Sequence, residues 1–178
     1  MTKKTIMVLA LCIIMLSCAF AGKFSITGQV SPYSLQTITM ESGRHVSTYG
    51  FGAKVGAGFG ICDNLDVGLD FNFDMFNYAE IDDSYLVFGF MAKAGYTFDF
   101  SQKVFGQAQI GLGLDIRKIG PNSQAAFGAE FYFGGGYRFS EKFSITAGLD
   151  LEHGFLNGST SSSTDFAAKI ALGTVITL

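Results

Sequence analysis

The sequence predicts an all-β chain, an eight-stranded antiparallel up-and-down transmembrane β-barrel preceded by a cleaved signal peptide. Three observations predict it: a secretory leader, a side-chain period of two from Phe24 onward, and connections that alternate between short and long. Composition clears the ground. Of 178 residues 48% are hydrophobic and 15% charged, with 23 Gly, 19 Phe and 7 Tyr against 2 Pro and no Trp. Disordered chains are poor in aromatics and rich in charge, so disorder is excluded. After the N-terminus no apolar run approaches the ~18 residues a spanning helix needs. A formal charge of −3 and the lack of a Lys/Arg cluster beyond Lys4 argue against nucleic acid as a partner.

The first element is the leader, residues 1–21. Lys3 and Lys4 precede an apolar stretch from Ile6 to Leu16, and Ala19-Phe20-Ala21 places small residues at the −3 and −1 positions. This is the order of an export signal and is too short to span a bilayer. Cleavage after Ala21 leaves a barrel domain of residues 22–178. It removes Lys3 and Lys4 but no acid, so the charge moves from −3 to −5. A lipoprotein leader, with Cys18 acylated after Met15-Leu16-Ser17, is the competing reading; Ala19-Phe20-Ala21 fits ordinary cleavage better. Cys12 and Cys18 leave with the leader, so Cys62 stands alone with no intrachain disulfide partner. No Cys/His cluster is present for zinc, and no metal or cofactor is expected.

Strands follow in order. The first is read at 24–33. The second, 49–60, sets Gly50, Gly52, Lys54, Gly56, Gly58 and Gly60 on one face. In the third, Leu65, Val67, Leu69, Phe71, Phe73 and Met75 oppose Asp66, Gly68, Asp70, Asn72 and Asp74. The fourth sets Leu86, Phe88, Phe90, Ala92 and Ala94 against Val87, Gly89, Met91, Lys93 and Gly95. The same alternation runs through 104–116, 125–139, 143–155 and 165–178. Tight turns lie at Cys62-Asp63-Asn64, Ser101-Gln102 and Ser140-Glu141-Lys142; longer polar loops lie at 34–47, 77–84, 117–124 and 156–164. Short turns at one end and long loops at the other match transmembrane barrels.

Which face points inward decides the class. The polar face is largely Gly, which weakens a strand and favours nothing in water. Inside a narrow eight-stranded barrel the same Gly makes room for long neighbours. The opposite face is a belt of Phe, Leu, Ile, Val and Ala suited to lipid. Phe71, Phe73, Phe88, Phe90 and Leu112 are therefore expected outside, and Asp70, Lys93 and Glu130 inside. The glycines of the second strand are not a phosphate loop, since no helix pattern follows them.

This pattern resembles the small eight-stranded outer-membrane β-barrel superfamily, which includes the OmpA transmembrane domain, OmpX, OmpW and the opacity-type surface proteins. The resemblance covers residues 22–178 and rests on the leader, the amphipathic strands and the alternating connections. Two features depart from it. The chain ends in Ile176-Thr177-Leu178 rather than an aromatic residue, and without Trp the interface girdles must be Tyr and Phe. One rim would carry Tyr49, Phe51, Phe76, Tyr78, Tyr85 and Phe166, the other Phe98, Phe100, Phe139 and Phe143. The resemblance implies a monomer in the bacterial outer membrane, lipid around it, and host or cell-surface ligands at loops 34–47, 77–84, 117–124 and 156–164.

Candidate chemistry lies in the lumen. Lys54, Asp70, Lys93, Glu130, Asp150 and Lys169 sit on the polar face near mid-strand, with Gln109 between them. They read as an ion-pair network that plugs the lumen, because buried charges persist only when paired. Asp70 and Lys93, on adjacent strands, are expected to face each other directly. The alternative is a narrow channel or small-molecule carrier of the OmpW type. A lipid A-modifying enzyme finds less support. His45 and Asp83-Ser84 loosely resemble the placement in the palmitoyltransferase PagP, whose lumen must be apolar. His153 lacks the Ser two residues on that the deacylase PagL carries, since Phe155 stands there. No catalytic residue is assigned, and a structural or adhesive surface barrel is the favoured reading.

Overall fold

The computed structural model describes residues 23–39, 43, 45–77, 84–119, 122–157 and 162–178; the predicted leader lies outside them. The described residues form eight strands: β1 (Phe24–Thr39), β2 (His45–Cys62), β3 (Leu65–Asn77), β4 (Ser84–Asp99), β5 (Val104–Ile119), β6 (Asn122–Arg138), β7 (Phe143–Asn157) and β8 (Ser162–Thr177). Each pairs antiparallel with the next, and β1 pairs with β8, so the sheet closes into a barrel. Closure removes every sheet edge within the barrel wall.

Ser caps two of the three short connections. At the β4–β5 turn the Ser101 hydroxyl accepts the Val104 amide at 2.9 Å while the Phe100 amide donates to the Val104 carbonyl at 3.0 Å. At the β6–β7 turn the Phe139 amide donates to the Phe143 carbonyl at 3.0 Å, and the Ser140 hydroxyl accepts the Lys142 amide at 3.3 Å.

Strands of 13 to 18 residues exceed the ~9–11 that cross a bilayer. The surplus lies at the loop end and corrects the predicted loops. Most of 34–47 is ladder, running to Thr39↔His45, and most of 117–124 is ladder, running to Ile119↔Asn122. Asn77 pairs with Ser84, and Leu156 and Asn157 pair with Ser163 and Ser162; residues 78–83 and 158–161 lie outside the described set. Beyond the apolar belt neither face of a strand needs to be apolar. The period-two signal therefore fades while the hydrogen-bonded ladder continues.

A bulge at Pro32 explains why the alternation of β1 breaks at Tyr33. Ser31 pairs with Gly52 but Ser34 with Gly50, so β1 carries one extra residue there. Pro donates no ladder hydrogen bond, and a bulge accommodates it. The extra residue flips the parity: Ser31 is buried before the bulge, Ser34, Gln36 and Ile38 after it, while Tyr33 and Leu35 are exposed.

The outer wall is apolar and the inner wall polar. Leu69 is 69% and Phe133 61% exposed, whereas Asp70 is 3% and Lys93 7% exposed. Leu112 and Phe90 are also exposed, and across β3 and β4 the rings of Phe71 and Phe90 meet at 5.0 Å and those of Phe73 and Phe88 at 5.3 Å. The girdle expectation needs correction at Phe76 and Tyr85. Both are buried inside the loop end, where they pack with Val87 and Ala167. Parity forces this, since Phe76 continues the inward series Asp70, Asn72, Asp74, and Tyr85 that of Val87 and Met91. Tyr49, Phe51, Phe166 and, at the turn end, Phe98, Phe100, Phe139 and Phe143 are exposed. Tyr78 lies outside the described residues.

Candidate functional site in the charged lumen

Every strand faces the lumen with alternate residues, and charge accumulates there in layers. Nearest the short turns, Lys93 Nζ lies 2.6 Å from Asp70 Oδ1 and 3.5 Å from Thr27 Oγ1. Asp70 pairs in the ladder with Met91 and Lys93 with Gly68. The two charges are thus diagonal neighbours rather than directly opposed.

The next layer is centred on Lys54 of β2, which bridges Glu130 of β6 and, at 2.5 Å, Asp150 of β7. Gln29 Nε2 donates to Asp150 at 3.2 Å. Asn72 links this layer to the one above, donating from Nδ2 to Glu130 at 3.0 Å and to Glu152 at 3.5 Å. There Lys169 of β8 bridges Asp74 at 2.7 Å and Glu152 at 2.6 Å. At the loop end Arg117 pairs with Asp165 and, at 3.3 Å, with Asp115, while Gln36 Nε2 donates to Asp165 at 2.7 Å.

All six residues singled out in the sequence point inward, but only some of them meet. Lys54 joins Glu130 and Asp150, and Asp70 joins Lys93; Lys169 finds partners outside the set. The residues missed are Asp74, Asp115, Arg117, Glu152 and Asp165, with Asn72 and Gln36 as neutral connectors. All are buried or nearly so and share the inward parity of their strands. Asp74 and Glu152 lie one inward step above Asn72 and Asp150, so parity alone could have found them. Arg117 fell inside the predicted loop 117–124.

Glycine provides the room. Gly89 on β4 and Gly128 on β6 flank Asp115 on β5, and a Cβ at either would stand 2.7 Å from a carboxylate oxygen of Asp115. At the turn end the lumen opens into a vestibule of about 170 Å³ that includes Asp66, Lys93, Gln107, Gln109 and Arg138. Farther in, a cavity of about 20 Å³ beside Lys54, Asp70 and Tyr132 has room for one water. Between Gln36, Arg117 and Glu152 at the loop end the space falls to about 10 Å³. His45, at the start of β2, has its Nδ1 3.0 Å from Thr39 Oγ1 across the hairpin, on the outside of the barrel.

No family model matches the chain, and no curated protein matches it in sequence. Solved structures do. Neisserial surface protein A superposes with a TM-score of 0.66 at 16% identity, covering 86% of this chain and 96% of that one. Ail, the attachment invasion locus protein of Yersinia pestis, solved in complex with the heparin analogue sucrose octasulfate, superposes with a TM-score of 0.52 at 15% identity, covering 87% of this chain and 99% of that one. With its own strand order and apolar exterior, this likeness gives the chain the fold of the small eight-stranded outer-membrane β-barrels.

Proposed function

We propose that the protein is exported by its leader through Ala21 and resides in the bacterial outer membrane as a surface barrel of structural or adhesive role. Its lumen is closed by ion pairs, so what it presents to the outside is its loop end. The observation that carries this reading is the stack of paired charges running from Asp70–Lys93 through Lys54 and Lys169 to Arg117–Asp165. Above it Phe76 and Tyr85 add an apolar layer. The extended ladders of β1–β2 and β5–β6 lift polar strand ends beyond the lipid belt, where exposed His45 and Lys118 stand. The sulfated heparin analogue bound to Ail supports a surface glycan as the ligand class.

A narrow channel is the second reading, favoured by the turn-end vestibule and the water-sized cavity behind it. Conductance of the refolded barrel in planar bilayers separates the two. The closed lumen predicts no steady current; steady single-channel current would put the channel first. The same preparation tests the pair nearest the vestibule. In a double-mutant cycle Asp70→Asn and Lys93→Met should couple by about 0.5–3 kcal/mol, as contacting residues do. Additive effects would show that the two do not interact in the membrane. A Lys93→Met barrel that stays folded but leaks would make the pair a gate.

A further inference from the structure

Polar groups without partners gather in the turn-end vestibule. Asp66 of β3 is half-buried in its wall and has no ion-pair partner among the described residues, since Lys93 is held by Asp70 and Arg138 by Asp99. Its ladder partner Gly95 leaves room for the carboxylate, because a Cβ there would stand 2.7 Å from Asp66 Oδ1. Gln107 and Gln109 of β5 are also half-buried in the vestibule, and neither side-chain amide has a hydrogen-bond partner among the described residues. These groups are available to whatever enters.

The opposite charge stands on another wall. Arg138 of β6 lies over the Phe105 ring, its Cζ 4.5 Å from the centroid, and its Nη2 donates to Asp99 Oδ1 at 2.6 Å. That pair is partly exposed and engages one of several guanidinium donors. Exposed pairs hold weakly, so Arg138 keeps capacity for a second carboxylate. A free carboxylate on β3 and a guanidinium on β6 thus flank the two free amides of β5. We propose that the vestibule is a binding site for a small zwitterion, a free amino acid or short peptide, with its ammonium on Asp66, its carboxylate on Arg138 and its remaining polar atoms on Gln107 and Gln109.

Size and charge both favour this class. The vestibule's volume of about 170 Å³ far exceeds the ~10–15 Å³ that one water needs. Inward, the cavity of about 20 Å³ shares Lys93, Gln107 and Gln109 with it and has room for one water, so the ligand enters and leaves at the turn end. A lone anion would meet Asp66 unpaired, and a lone cation would leave Arg138 without its second partner. Lys23 and Asp63, exposed at the mouth, are of opposite sign and favour neither. The site needs only the turn-end opening and stands whether or not the lumen beyond conducts.

Calorimetric titration of the refolded protein in detergent tests it, with glycylglycine, N-acetylglycylglycine and glycylglycine amide as probes. Saturable binding of glycylglycine is expected, weakened about tenfold or more by either cap, since each cap removes one charge-assisted contact. Asp66→Asn should abolish the penalty for the acetyl cap, and Arg138→Gln the penalty for the amide cap, because the lost group no longer has its partner. A merely structural role for either residue would weaken all three probes alike. Absence of saturable glycylglycine binding, equal binding of either capped peptide to the unaltered protein, or penalties that both variants leave intact overturns the proposal. The capped probes need no variant, so the test survives one that fails to fold. Conductance of the same preparation reports on the closed-lumen reading separately.

Discussion

Replacing Lys54 by Met is expected to destabilise the refolded barrel by about 3–5 kcal/mol, because removing one partner strands charges already stripped of water. Lys54 bridges Glu130 and Asp150, so its loss leaves two facing carboxylates with no cation between them. The penalty comes from the remaining acids rather than from lost attraction. A triple variant, Lys54→Met with Glu130→Gln and Asp150→Asn, should recover most of the loss, since it leaves no unpaired charge. Low pH should shrink the effect of Lys54→Met alone, because protonating Glu130 or Asp150 removes the stranded charge. Urea unfolding in lipid vesicles measures all three. A single variant within about 1 kcal/mol of the parent would mean that Lys54 carries no more than an exposed pair does.

This dependence on partners across the barrel marks where sequence reading stops. Parity was legible: odd and even positions of β3 and β4 separate Phe71 and Phe90 from Asp70 and Lys93, and the structure keeps that division. What parity does not contain is height. Lys54 on β2 meets Glu130 on β6 and Asp150 on β7 across the lumen, and Lys169 on β8 meets Asp74 on β3. Those contacts depend on closure and shear, which set how far each strand slides past its neighbour. Parity also failed where a local device reset it. The Pro32 bulge turns Gln36 rather than Leu35 toward Asp165, and ending the strand at Tyr33 hid that change. At Phe76 and Tyr85 the expectation followed residue type, aromatic and near a rim, where position on the strand decides instead. Arg117 and the strand ends were lost because a polar, aperiodic stretch reads as loop even where it is paired on both sides.

Leu112→Arg probes the orientation itself. Leu112 lies midway along β5, half-exposed on the outer wall, with Ala92 and Ala129 as its cross-strand neighbours. Two alanines offer no cover and no polar partner, so an arginine there must stand in hydrocarbon or stretch its stem toward an interface. At the bilayer midplane this costs ~2–4 kcal/mol. The reciprocal change at the loop end, Lys118→Leu, should be nearly neutral, because position 118 is exposed on the outer face two inward-outward repeats beyond Leu114. A soluble barrel predicts the opposite ranking. An exposed arginine would be harmless at 112, and each exposed leucine would be the liability. Unfolding both variants in vesicles and in detergent separates these cases, since the penalty at 112 arises from the lipid the side chain must enter. A Leu112→Arg barrel that folds into bilayers with unchanged stability would place water, not lipid, around the belt of Leu69, Phe90 and Phe133.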